Sequence, residues 1–182
     1  MAHWNYFVDR IVKNFISAKF LFLGDFVDRG DYGIECVAHL FAQKVLAPSK
    51  IFMIRGNHEH RDVQEHFTFR NECMKRFGPD LGSAMWSEIN SVFDCMPLAA
   101  VVDGRIFCTH GGIPEERKYE TLGFREAVNS VPCPLPDPEN QSPLAWDLMW
   151  ADPGPVILRF TVPFLLFDVR FNRAVQEYFQ PS

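Results

Sequence analysis

Apolar side chains recur along this chain in two rhythms. At Trp4, Phe7, Val8, Ile11, Val12 and Phe15 they fall three and four apart, the spacing of an amphipathic helix. The unbroken run "KFLFL" follows and stops at Gly24 and Asp25, as a buried strand does on entering a polar loop. Helical spacing returns at Ile34, Val37, Leu40, Phe41 and Val45 and ends before Pro48. "KIFMIRGNHE" then repeats the apolar strand running into glycine and polar residues. Strand, helix and strand in this order predict a βαβ unit with both polar loops at strand C-terminal ends.

Farther on, Phe67 to Phe77 and Met85 to Met96 read as two amphipathic helices, the first stopped by Gly78-Pro79 and the second by Pro97. Both are expected to pack on the sheet. "LAAVVDGRIFCTHGG" is two apolar runs joined at Asp103-Gly104, the signature of a type I′ hairpin. Its second strand ends at a third polar, glycine-rich loop. Residues 131–143, "VPCPLPDPENQSP", predict an irregular surface loop. With 182 residues and no internal repeat, one domain is the expectation.

Composition narrows the class. A chain 47% hydrophobic and 23% charged is ordinary for a folded globular protein. A net charge of -5 without a Lys/Arg stripe gives no footprint for nucleic acid. Five cysteines without a C-x-x-C pair suggest neither a disulfide framework nor a zinc knuckle. They read as reduced, mostly buried thiols of a cytoplasmic or nuclear protein. The first residues lack a basic stretch followed by an unbroken apolar run, so no secretory signal is expected. The apolar stretch "PVILRFTVPFLLFDVRF" is broken by Arg159, Pro163 and Asp168, so no membrane segment is expected.

Ligands of open α/β sheets bind beyond the carboxyl ends of the strands, and three such ends here carry GDFVDRG, RGNHE and HGG. Together they offer Asp25, Asp28, Arg29, Asn57, His58, Glu59 and His110. Oxygen and imidazole donors suit hard or borderline divalent ions, and an arginine suits phosphate. Glycines at 24, 30, 56, 111 and 112 permit the close approaches such convergence needs. His39, His60 and His66 belong to no motif and read as surface or structural residues. Glu59 reads as a supporting residue rather than a ligand, and Trp146 and Trp150 as core packing.

The blocks "FLGDFVDRG", "IRGNHE", "NSVFDCMPLAAVVDGRIFCTHGGI" and "LMWADP" resemble, in order, those of the phosphoprotein phosphatase family of metal-dependent Ser/Thr phosphatases. The resemblance covers about residues 19–153. It implies a calcineurin-like metallophosphoesterase fold, an α/β architecture of β-sandwich flanked by helices. It also implies two divalent ions, of Mn, Fe or Zn, and hydrolysis of phosphoserine and phosphothreonine in proteins by a hydroxide that the ions activate. Carried over motif by motif, Asp25, Asn57 and His110 would bind metal. Arg29 and Asn57 would hold phosphate, and His58 would protonate the leaving oxygen, oriented by Asp28. Partners would be a phosphoprotein substrate and regulatory subunits.

Other parts of the family pattern have no counterpart. No G-D-x-H-G block precedes Lys19, and no histidine follows His110. The expectation is therefore a single partial catalytic domain over residues 1–182, truncated at both ends, with a divergent segment over 154–182. Two other readings stay open: an inactive phosphatase fragment or pseudoenzyme acting through protein contacts, and a metallophosphoesterase of small phosphate esters or dinucleotides.

Overall fold

The computed structural model describes residues 18–114 and 123–151. The helix expected over residues 4–16 and the segment 154–182 lie outside the described residues. Strand β1 (Phe20–Phe22) leads through helix α1 (Gly33–Leu46) to β2 (Ile51–Met53). β1 and β2 pair in parallel, Phe20 against Ile51 and Phe22 against Met53, as the strand–helix–strand pattern requires. Val37 and Leu40 turn the buried face of α1 inward, where Leu40 meets Ile51 and Met53 and Val37 meets Val27, Phe69 and Phe93.

Three helices follow: α2 (Arg61–His66), α3 (Phe69–Phe77) and α4 (Pro79–Phe93). α2 precedes the region where a helix is expected, and the helix expected from Phe67 to Phe77 begins instead at Phe69. Asp28 is the reason. Its Oδ1 accepts from the backbone N–H groups of Thr68 and Phe69 at 3.0 and 2.7 Å, so it caps α3 from forty residues away and fixes where that helix begins. Gly78, at φ 80°, closes α3 and opens α4, with Pro79 in the first turn of α4. The latter therefore starts six residues before the expected Met85 and ends at Phe93 rather than Met96. The two helices pack closely around Cys73 and Phe93, and Gly82 lies against the Cys73 backbone.

β3 (Ala99–Val102) and β4 (Ile106–Thr109) form the expected antiparallel hairpin. Its turn places Asp103 and Gly104 at φ 52° and 66°, the left-handed pair that a type I′ turn demands. Beyond it come α5 (Phe124–Asn129), α6 (Pro138–Gln141) and α7 (Pro143–Trp150). The proline-rich stretch departs from the expected surface loop. It carries the one-turn α6, buries Leu135 and Pro138, and ends on Ser142, whose hydroxyl accepts from Ala145 N–H to cap α7. A second apolar cluster of Leu98, Phe124, Leu135, Leu144 and Leu148 holds this part together.

The thiols also depart from expectation. All five are free, but only Cys73 is buried; Cys95 and Cys133 are exposed. Among the described residues no helix is long and apolar enough to cross a membrane.

Candidate active site

The three strand-end loops meet because the backbone has no side chain where they touch. A Cβ on Gly24 would lie 2.5 Å from the Cα and N of Gly56. One on Gly56 would lie 2.6 Å from the N and Oδ1 of Asp25. Gly24 also sits at φ 98°, which excludes other residues on conformational grounds. Three non-glycine residues of the same loop, Asp25, Asp28 and Arg29, share the left-handed region at φ 58°, 68° and 58°. Such angles cost about 1–3 kcal/mol each and persist where the surroundings impose them.

Glu59 holds the start of this loop. Its side chain is fully buried. Oε2 accepts from the backbone N–H of Asp25 at 2.8 Å and of Gly56 at 2.9 Å, and Oε1 from Phe26 N–H at 2.8 Å. One carboxylate thus ties the GDFVDRG loop to the RGNHE loop. Burial pushes its carboxyl above the ordinary value against the opposite pull of those N–H groups. Its supporting role agrees with the reading from sequence.

Arg55 anchors the far side of this floor. It too is fully buried. Nε donates to the Glu59 carbonyl at 2.8 Å, and the two terminal nitrogens donate to the Leu135 carbonyl at 2.6 Å and to Asp94 Oδ1 at 3.3 Å. Arg61 shares Asp94 at 2.7 Å. Sequence reasoning missed Arg55 and Asp94. The available signal was an arginine closing the apolar run "IFMI", where a cation requires a buried partner.

Asp25, Asn57 and His110 converge. Nε2 of His110 lies 3.2 Å from Asp25 Oδ1 and 3.2 Å from Asn57 Oδ1. Its Nδ1 is 2.6 Å from the Leu23 carbonyl. A carbonyl only accepts, so Nδ1 carries the proton and a neutral ring turns its Nε2 lone pair toward two oxygens. Three acceptors aimed at one another call for a positive charge between them, a proton or a metal ion. A ligating histidine that donates its other N–H to a backbone carbonyl is the usual support in metal sites. The donors are one carboxylate, one amide oxygen and one imidazole, with Asp25 and His110 in reach of solvent. They fit a divalent ion of the Mn, Fe or Zn type. Among the described residues, no three His, Cys, Asp or Glu side chains cluster as a metal site.

Beside this group runs a second chain of contacts. Nδ1 of His58 donates to Asp28 Oδ2 at 2.8 Å, and the Arg29 guanidinium donates to His58 Nε2 at 2.7 Å. His58 and the Asp28 carboxylate are buried. Phe67 packs edge-on over the His58 ring at 4.8 Å, and the Arg29 guanidinium lies 5.7 Å from the Phe67 ring centre. Asp28 thus serves two elements at once, capping α3 with one oxygen and holding His58 with the other. Every site residue expected from sequence therefore lies in one of two adjoining groups, linked where His58 N–H meets Asp25 Oδ1 at 3.3 Å.

The remaining motif-free residues sort differently. His39 is half-buried and His66 exposed. His60 is buried, meets the Trp146 ring edge-on at 6.2 Å, and among the described residues its Nδ1 has no hydrogen-bond partner. Trp146 and Trp150 stack at 5.2 Å and line an open hollow of about 270 Å³ with His60, Val63 and Phe67. They are half-buried, which is less than core packing implies. Trp150 nevertheless packs against the α7 cluster.

The fold has relatives among solved structures. A protein serine/threonine phosphatase from Saccharomyces cerevisiae, described as similar to human phosphatase PP5, superposes with a TM-score of 0.66 at 24% identity. The match takes in 80% of this chain and 44% of that one, so this chain spans less than half the length of the yeast enzyme. At the level of sequence, the calcineurin-like phosphoesterase family is matched over residues 3–180. The chain belongs to that family.

Proposed function

We propose that this chain is a partial catalytic domain of a metal-dependent phosphatase acting on phosphoserine and phosphothreonine in proteins. Asp25, Asn57 and His110 hold a divalent ion, and Arg29 together with Asn57 binds the phosphate. His58 gives its Nε2 proton to the departing seryl or threonyl oxygen, and Asp28 orients it. The observation that carries this reading is the convergence of His110 Nε2 on Asp25 and Asn57, each at 3.2 Å, beside the Asp28–His58–Arg29 chain.

Bound divalent ions supply positive charge against the phosphate oxygens and make water a stronger acid at neutral pH. The protein's own share is positioning. Asp28 keeps the proton on Nδ1, so any proton that His58 delivers leaves from Nε2. Arg29 donates to that same atom. A phosphate dianion, a stronger acceptor than a neutral ring nitrogen, draws the guanidinium away and frees Nε2 to carry a proton. Substrate binding and arming of the acid are then one event.

A second reading rests on the donor count: three converging ligands make one ion site, which suits a metal-binding chain without turnover. Small phosphate esters are the third candidate substrate. All are separated by loading the 182-residue chain with manganese, measuring metal per chain, and assaying a phosphopeptide beside p-nitrophenyl phosphate. Phosphopeptide hydrolysis by the metal-loaded chain supports the proposal. One ion with no turnover favours the inactive reading, and hydrolysis of the small ester alone favours the third.

A further inference from the structure

Two thiols that the site does not use lie side by side beyond the last turn of α4. Cys95 follows Asp94, and Cys133 comes from the proline-rich segment 38 residues on. Both are exposed and unbridged. The Cys133 thiol reaches the Cys95 carbonyl at 4.0 Å.

Their meeting is imposed by the framework around them. Leu135 N–H donates to the Asp94 carbonyl at 2.8 Å, which pins the segment holding Cys133 against the residue before Cys95. Arg55 clamps the same two segments, donating to the Leu135 carbonyl and to the Asp94 carboxylate. The two segments that carry these cysteines are therefore held side by side by buried hydrogen bonds, not by the drift of two surface side chains.

We propose that Cys95 and Cys133 are a redox modification site, closing to a reversible intrachain disulfide under peroxide. One thiolate attacks the peroxide O–O bond, becomes a sulfenic acid and releases hydroxide, which takes up a proton to leave as water. The second thiolate attacks that sulfur, forms the S–S bond and expels the oxygen as hydroxide, also protonated to water. In sum, two thiols and one hydrogen peroxide give one disulfide and two waters; the sulfurs lose two electrons and the peroxide gains them. A dithiol reverses the bond by exchange.

The bond would link the segment of Asp94 to that of Leu135, the two residues that hold Arg55 under the floor of the candidate site. Surrounding protein and the neighbouring Cys133 thiol push the Cys95 thiol up, so oxidation quickens as pH rises. Cys73 is an internal control, since burial pushes its thiol up to about 11 and it faces the core.

The full-length chain is treated with equimolar peroxide, its remaining thiols are alkylated, and its peptides are mapped without reduction. The expected product is a monomer with three of its five thiols alkylated and one peptide joining Cys95 to Cys133. Dithiothreitol abolishes the link, and the unfolding midpoint rises by roughly 5 °C or more on oxidation. Cys133→Ser and Cys95→Ser each remove the link, so failure of either variant to fold leaves the other. Separate sulfenic or sulfinic adducts on the two residues, a link from either to another cysteine, or a covalent dimer overturns the proposal. No turnover is read, so the result is independent of the phosphatase reading.

Discussion

Where β3 turns into β4, positive φ falls on Asp103 and Gly104, the residue types that a tight hairpin favours, while Val101, Val102 and Ile106 remain exposed. Where β1 runs into its loop, positive φ falls on Asp25, Asp28 and Arg29 as well as on Gly24. The ends of β1 and β2 also bury Arg55, His58, Glu59 and the Asp28 carboxylate. The hairpin satisfies local rules and needs little support. The β1–β2 ends break local rules and are held by side chains reaching in from distant segments: Glu59 onto Asp25 and Phe26, Asp28 onto α3, Leu135 and Asp94 onto Arg55. Strain and buried charge thus collect in the half of the molecule that gathers the metal-type ligands, and the network holding them determines that geometry.

Removing Arg55 should break this contrast most severely. Arg55→Met leaves the Glu59 and Leu135 carbonyls without their donor, while Asp94 keeps Arg61, for a loss of about 2–5 kcal/mol in urea unfolding. A loss below about 1 kcal/mol would mean the β1–β2 ends are no more tied together than the hairpin. Gly56→Ala comes next. Its methyl would press on Asp25 and Glu59, costing about 1–3 kcal/mol and weakening manganese binding, both readable by titration followed by unfolding. Asp28→Asn leaves the fold near its original stability but should slow phosphopeptide turnover by ~10–100-fold, the scale for losing a side chain that orients a working histidine.

The pH dependence is a finer test. Burial lowers the His60 pKa below its ordinary 6.5, with Arg55 adding to the effect while Asp62, Asp137 and Glu139 oppose it. The folded state thus holds His60 neutral, and unfolding lets it charge. Its contribution is complete above 6.5 and is lost as pH falls from there through the lower folded value. Thermal midpoints at about pH 7.5 and about pH 5.5 should diverge less in His60→Gln than in the parent. Gly104→Ala is the smallest change: about 1 kcal/mol of stability from the turn, with manganese binding untouched. If it altered manganese binding, the hairpin and the β1–β2 ends would not be separable.

The sequence exposed most of the site because its signals are local. Apolar runs ending in Gly-Asp, Arg-Gly-Asn-His and His-Gly-Gly mark strand ends, and the ends of β1 and β2 in one sheet and of β4 in the other meet. The hairpin was legible for a similar reason, since two residues decide its turn. What escaped were effects carried across the chain. Nothing near Phe67 announces that Asp28 will start α3 at the next turn. Nothing in "VPCPLPDP" says that the Leu135 carbonyl will face Arg55, or that Cys133 will come to rest on Cys95. Proline there suggested irregularity, which is true of the backbone and uninformative about burial.

Glu59 sits within the very motif it supports and cannot meet a substrate, because no part of it reaches solvent. Screened by turnover alone, Glu59→Ala would nevertheless look like the loss of a reacting group, since both loops proposed to carry the chemistry would come adrift together. The phenotype would be chemical and its origin architectural. For a chain of this kind, a map of intolerant positions outlines the scaffold as well as the reaction, and only a metal-binding or unfolding measurement made alongside tells the two apart.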